Sequence, residues 1–186
     1  MTERDSLRFR DAEPSEWDDV AALHIASWRS AYRGILRDAY LETAIEAERR
    51  AVWQSRFTGG ARPDQIVVIG EDASGFVALA CILAGQDPRW GSLIDNLHVR
   101  PDRKRAGIGR LVLAEAAARV PSAHRATPLH LTVLEGNAAA RAAYESWGGK
   151  LVEQPDADLP DGQTLRVRRY AWDNPDALMR ALGGQR

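Results

Sequence analysis

Apolar and charged residues alternate over residues 7–10, the period of a short strand, and Glu13-Pro14-Ser15-Glu16 follows as a helix-start signal. From Trp17, the residues Val20, Leu23, His24, Trp28, Ala31 and Tyr32 recur at steps of three and four until Gly34, which predicts an amphipathic helix. A weaker helical period runs from about 38 to 57 through Leu41, Ala44, Ile45 and Val52, and Gly59-Gly60 and Pro63 break it. Two apolar runs, 66–69 and 76–84, are joined by Glu71-Asp72-Ala73-Ser74-Gly75 and read as a hairpin. A strand is predicted over 93–99 and is stopped by Pro101; a basic loop then leads into a helix over 107–120, ended by Pro121. Residues 129–134 read as a strand and 137–147 as a helix. Closing strands are expected over 150–153 and 164–172, with a polar turn over 155–162 between them.

A hairpin first and strand, helix, strand, helix later imply an α+β (mixed α/β) fold: a central, mostly antiparallel sheet with a parallel crossover, flanked by helices. A chain of 186 residues buries roughly 70% of its unfolded surface, and neither repeat nor linker divides it, so one domain over 1–186 is expected. The crossover is the place to look for chemistry, because ligands of such sheets gather where strands end and helices begin.

Charge and cysteine content narrow the setting. A net charge of -1 from 25 basic and 26 acidic side chains offers no global field for nucleic acid or an anionic membrane. Cys81 is the only cysteine, which excludes an intramolecular disulfide and any cysteine-based metal site, and fits a reducing compartment. No apolar run approaches the ~20 residues of a bilayer span, and residues 1–10 are charged rather than signal-like, so a cytoplasmic protein is expected. His24, His124 and His130 show no metal-ligand spacing, and no metal is expected.

Arg103-Lys104-Arg105-Ala106-Gly107-Ile108-Gly109-Arg110 lies between a predicted strand and a predicted helix. The unpaired N–H groups and positive dipole end of that helix make the loop an anion site, and Gly107 and Gly109 let backbone approach phosphate oxygens. A Walker loop would need Gly-x-x-x-x-Gly-Lys-Ser/Thr, and a dinucleotide fingerprint a small residue at Val112 with an acidic residue about 20 positions on; neither is present.

The segment Asp95-Asn96-Leu97-His98-Val99-Arg100-Pro101, followed by Lys104-Arg105-Ala106-Gly107-Ile108-Gly109, resembles the acetyl-CoA motif of the GCN5-related N-acetyltransferase superfamily. Lys104 stands where that motif usually has Gln or Arg. A second motif, a strand followed by Asn and then by a helical Tyr seven residues later, is matched by Leu131-Thr132-Val133, Asn137 and Tyr144. The resemblance covers about 93–149, and residues 23–35 are similar to the first helix of many small bacterial members, which places the acceptor side at about 15–60.

The resemblance implies an acetyl-CoA-dependent N-acetyltransferase acting on a small-molecule or peptide amine; a homodimer is a possible assembly because dimers are the commonest among small soluble enzymes. It implies that the backbone of Leu97, His98 and Val99 lies along the pantetheine arm, and that Lys104, Arg105, Ala106, Gly107, Ile108, Gly109 and Arg110 hold the pyrophosphate. Asn137 is then a contact to coenzyme A, although Asn before three alanines is equally a helix N-cap. Tyr144 matches the family's general acid, the proton donor to the leaving thiolate. The base is open: the family's glutamate position is Thr132 here, which leaves Asp95, His98, Glu135, a water chain or an acceptor already neutral. Trp28 and Tyr32, four apart on one helix face, are expected to contact the acceptor. Two other readings remain in view, an acyl-CoA-binding regulatory module without turnover and a nucleotide-dependent transferase using the same loop for ATP.

Overall fold

The computed structural model describes residues 7–60 and 62–183, so most of the charged amino-terminal segment, residues 1–6, lies outside the described residues. The order is β1 (Arg8–Asp11), α1 (Trp17–Ala31), α2 (Ile45–Thr58), β2 (Gln65–Asp72), β3 (Gly75–Asp87), β4 (Gly91–Val99), α3 (Ile108–Ala118), β5 (Leu129–Leu134), α4 (Ala138–Ser146), β6 (Lys150–Glu153), β7 (Asp156–Asp158), β8 (Thr164–Trp172) and α5 (Pro175–Ala181). The strands form one sheet ordered β1-β2-β3-β4-β5-β8-β6, with β7 on β8, and only β4 and β5 run parallel. This is the mixed, mostly antiparallel sheet with one parallel crossover that the alternation of elements implies.

Strict alternation in β2 and β3 sends side chains to two faces, as a two-residue period must. Val68, Ala78, Ala80 and Ile82 meet α3 and α5 through Val112, Leu113, Ala116 and Leu178. Val67, Ile69, Leu79 and Cys81 point the other way, onto Val20, Leu23 and the fully buried Trp53 of α1 and α2. A third apolar group, including Ile25, Leu41, Ile45, Leu134 and Val167, closes the far end of α1 against β5 and β8. Helices therefore cover both faces, and α1 spans the region where β4 and β5 adjoin.

Three stretches depart from the sequence reading. The helical period from 38 opens as a π-helical segment, Tyr40–Ala44, before α2 becomes regular. Arg29 Nε donates to the Leu41 carbonyl oxygen at 2.8 Å within that wide turn. The stretch 155–162 is more than a turn: Asp156–Asp158 forms β7, which Arg166 Nε and Thr164 Oγ1 hold by donating to Asp156 and Asp158, each at 2.6 Å. After the closing strand comes α5, capped by Asn174, whose side chain accepts from the Ala177 N–H at 2.8 Å, with Pro175 in the first turn.

Candidate active site at the splay of the sheet

β4 and β5 are paired only at Ser92–Leu129 and Leu93–His130. Beyond that point each keeps its outer partner, β3 for β4 and β8 for β5, while their facing edges diverge. A bulge starts the divergence: Cys81 pairs with Asn96 and the next residue, Ile82, with Ile94, so Asp95 is the extra residue in β4. The opening leads into a cavity of about 620 Å³ between α1, β4, β5, α4 and the segment 155–160. Leu97, His98 and Val99 line it, as do Asn137 and Tyr144.

At one end of the cleft the chain turns from β4 into α3. Arg105 and Gly107 both adopt positive φ, 65° and 80°, and Gly107 is the helix N-cap. The N–H groups of residues 107–110 open the helix without intrahelical acceptors, so the dipole end and its free donors face outward beside β4. A Cβ at Gly109 would sit 3.4 Å from Val99 Cγ2, and at Gly107 it would meet nothing within 4 Å but would be strained by the positive φ. The basic residues divide. Arg105 and Arg110 are exposed, Arg103 pairs with Asp72 at 3.0 Å, and Lys104 Nζ donates to Ser30 Oγ of α1 at 3.0 Å. The loop thus presents backbone donors and two exposed arginines to an anion, while Lys104 reaches across to the first helix.

On the α1–α2 face, Asn96 and His98 stand beside each other at alternate positions of β4. The His98 ring stacks on His24 with centroids 4.3 Å apart and an interplanar angle of 28°. His24 Nδ1 accepts from Trp53 Nε1 at 3.0 Å, which leaves its Nε2 buried without a partner among the described residues. Asp95 is ion-paired with Arg56 at 2.6 Å and accepts from Asn96 Nδ2 at 2.5 Å. Glu135 is turned toward Arg168, which donates to it at 3.1 and 2.9 Å, and it does not line the cavity. Burial, then the charges of Lys104 and Arg49, push the His98 imidazole down to about 3, so the ring is neutral at ordinary pH.

Tyr144 of α4 lines the cavity with Tyr32, the C-cap of α1, and burial together with that neighbour pushes its phenol well above the usual range. Tyr32 and Asn137 line the same cavity, and Asn137 Oδ1 accepts from the Ala140 N–H at 3.2 Å as the N-cap of α4. Trp28 packs edge-on against His24 and Tyr32, with the Arg49 guanidinium 5.0 Å from its ring centroid. Trp28 and Tyr32 both line the cavity while belonging to the packed cluster at that end of α1, so the packing and cavity-lining readings hold together.

The side chains that sequence reasoning missed are Arg56, Trp53 and Asn96. Asn96 carries the one signal that was available, its i, i+2 relation to His98 on a strand. No cluster of His, Cys, Asp or Glu that could hold a metal ion occurs among the described residues, and no helix there is long and apolar enough to cross a membrane.

This geometry has relatives. The family model described as "Acetyltransferase (GNAT) family" matches residues 17–149. The uncharacterized N-acetyltransferase YuaI of Bacillus subtilis is 25% identical over 180 residues, covering 95% of this chain and 98% of that protein. A probable N-acetyltransferase of Mycobacterium tuberculosis is 32% identical over 142 residues, 75% of this chain and 78% of its own length. Among solved structures, PaiA N-acetyltransferase from Thermoplasma acidophilum in complex with coenzyme A superposes with a TM-score of 0.69 at 15% identity, covering 90% of this chain and 99% of that one. YncA of Salmonella typhimurium, a putative acetyltransferase with its cofactor acetyl-CoA, gives 0.63 at 15% identity over 90% and 93%. A family match running from α1 to the end of α4 takes in α1, β4, α3, β5 and α4 around the cleft, and the chain belongs to the GNAT family of acetyltransferases.

Proposed function

We propose that the protein transfers an acetyl group from acetyl-CoA to a primary amine by direct attack in a ternary complex, and that the acceptor has an apolar body with few positive charges. The observation that carries the reading is the splay: an unpaired β4 edge beside four free helix-end amides on one side, and an aromatic cavity on the other. The donor's identity is supported by the fold likeness to proteins solved with coenzyme A or acetyl-CoA. The residues fit such a donor, since the amides of 107–110 suit a pyrophosphate and a Cβ at Gly109 would already touch Val99 at 3.4 Å.

Acetyl-CoA supplies a thioester whose C–S bond breaks as the amine's C–N bond forms. The open edge of residues 97–99 offers backbone N–H and C=O groups to an extended ligand, as an added strand would, and one N–H to the carbonyl oxygen as it gains charge. Tyr144 lines the same cavity and carries its phenolic proton at neutral pH, which makes it the available donor to a departing sulfur. Cys81 is buried and its thiol is pushed up to about 12, chiefly by desolvation, which favours direct transfer over an acetyl-cysteine. A free thiol in that state also agrees with a cytoplasmic setting.

The acceptor class follows from the lining. Trp28, Tyr32, Leu36, Leu159 and Val167 give an apolar wall; Asp95 is the sole carboxylate among the described lining residues and is held by Arg56, Arg169 is paired with Glu153 at 2.9 Å, and Lys104 contributes positive charge. A polycation would meet Lys104 and find no carboxylate among the lining residues free of an arginine. The test is free-thiol release from acetyl-CoA against a panel of amines. Arylalkyl and alkyl monoamines are expected to turn over at least tenfold faster, as kcat/KM, than polyamines or aminoglycosides, a gap of about 1.4 kcal/mol. The reverse order would overturn the acceptor class, and binding of acetyl-CoA with no release for any amine would leave a non-catalytic module.

A further inference from the structure

We propose that His98 receives the acceptor's amino group on a bare Nδ1, and that Arg56, Asp95 and Asn96 fix this tautomer, which makes Asn96 a positioning residue. The inference rests on the acetyltransfer reading and names the group on this chain that faces the amine. It follows from who can donate to whom. Arg56 Nη1 holds Asp95 at 2.6 Å, and Asp95 as a carboxylate only accepts, so the Asn96 atom 2.5 Å from it is the amide nitrogen. Asn96 Oδ1 is thereby turned to His98 Nε2, 3.2 Å away. A carbonyl oxygen also only accepts, so Nε2 carries the hydrogen, and a neutral imidazole has no second one for Nδ1.

The surroundings keep the ring neutral and in place. His24 of α1 is stacked on it, Arg49 and Arg56 approach from α2, Lys104 from the loop and Asp95 from β4 itself, with Glu48 engaged by Arg49. Nδ1 has no hydrogen-bond partner among the described residues, and the residue lines the cavity. A site so charged disfavours an ammonium and admits the neutral amine, whose N–H then has an acceptor waiting. In the transfer, C–N forms and C–S breaks while Nδ1 accepts a hydrogen bond from the amine N–H and stays unprotonated. Tyr144 gives its phenolic proton to sulfur, and the proton that nitrogen loses returns to the Tyr144 phenolate through water.

Nitrogen-15 NMR of the full-length protein reads the tautomer without any turnover, with the His98 signals assigned by their loss in His98→Gln. A protonated Nε2 and a bare Nδ1 are expected near neutral pH; a bare Nε2 overturns the proposal even if acetyltransfer is active. Asn96→Ala frees the ring to take either tautomer, and should lower kcat/KM for the amine by about 10- to 100-fold, less than the ~10⁴-fold lost when a catalytic histidine is held in the wrong tautomer. Acetyl-CoA affinity should stay within about twofold. Asn96→Asp keeps an acceptor opposite Nε2 and should restore the tautomer, while its charge raises the histidine and adds a low-pH inflection to kcat/KM that the wild type lacks. Full activity in Asn96→Ala, or equal damage in both variants with loss of acetyl-CoA binding, reduces Asn96 to a structural role. Should the variants fail to fold, the wild-type spectrum alone decides.

Discussion

Tyr144, Tyr32 and Asn137 come from α4, the C-cap of α1 and the turn between β5 and α4, yet all three line one cavity with a largely apolar wall. Tyr144→Phe removes only the hydroxyl, so packing and acetyl-CoA affinity should be nearly unchanged while the leaving sulfur loses its proton source. A thiol with a pKa near 8.5 is a fair leaving group unaided, so turnover should fall about 30- to 300-fold, toward the low end of general-acid effects. Steady-state turnover at saturating acetyl-CoA measures this, and a loss under threefold with chemistry rate-limiting removes Tyr144 from the mechanism. Tyr144 and Asn137 were legible because a fixed spacing after a strand carries them. The side chains around His98 were not: Arg56 meets Asp95 across α2 and β4, and nothing in the local sequence links them. Lys104 was legible as a cation but not as a partner of Ser30, because a long side chain's direction depends on what packs opposite.

The elements bounding the cleft were readable to within a few residues, since β2 to β5 and α3 to α4 carry clean periodicities and sharp stops at Pro101 and Pro121. β7 was not readable, because Asp-Ala-Asp has no strand propensity and is held by Arg166 and Thr164 across the hairpin. α5 did carry a signal, Asn174-Pro175 at its start and Gly183 in a left-handed conformation past its end. The junction of β4 with α3 yields a prediction at this scale. Gly109→Val sets a branched side chain where even a Cβ lies 3.4 Å from Val99 Cγ2 at the mouth of the splay. Acetyl-CoA should bind at least tenfold more weakly, about 1.4 kcal/mol, while the fold is retained. Calorimetric titration beside a thermal melt checks both, and a folded variant with wild-type affinity would remove the loop from the donor site.

Over the whole molecule, His24, His98 and His130 are held neutral: His24 is pushed well below its ordinary value, His98 to about 3 and His130 to about 4, in each case first by burial. Each folded value lies below that of the unfolded chain, so near neutral pH the three cost nothing, and as pH falls through about 6.5 the unfolded state alone takes up protons. Stability therefore drops with acid between about pH 6.5 and the folded values. At pH 5.5 His24, His98 and His130 should each remove about 1.4 kcal/mol, a combined loss near 4 kcal/mol and roughly 8–16 °C in melting temperature. Thermal melts at pH 7.5 and 5.5 test this, and coincident curves would sink it. The narrow seam between β4 and β5 bears on how the molecule forms. β1 to β4 come from residues 8–99 and β5 to β8 from 129–172, so two contiguous stretches of chain each build a leaf, with β2 to β4 paired through hairpins and β1 with β2 and β5 with β8 across longer loops. Such leaves gain their own contacts first and join late through two residue pairs of β4 and β5, α3 and the helices above them. Weakening the seam should then speed unfolding far more than it slows folding, so the opening that admits a ligand is also where the molecule begins to come apart.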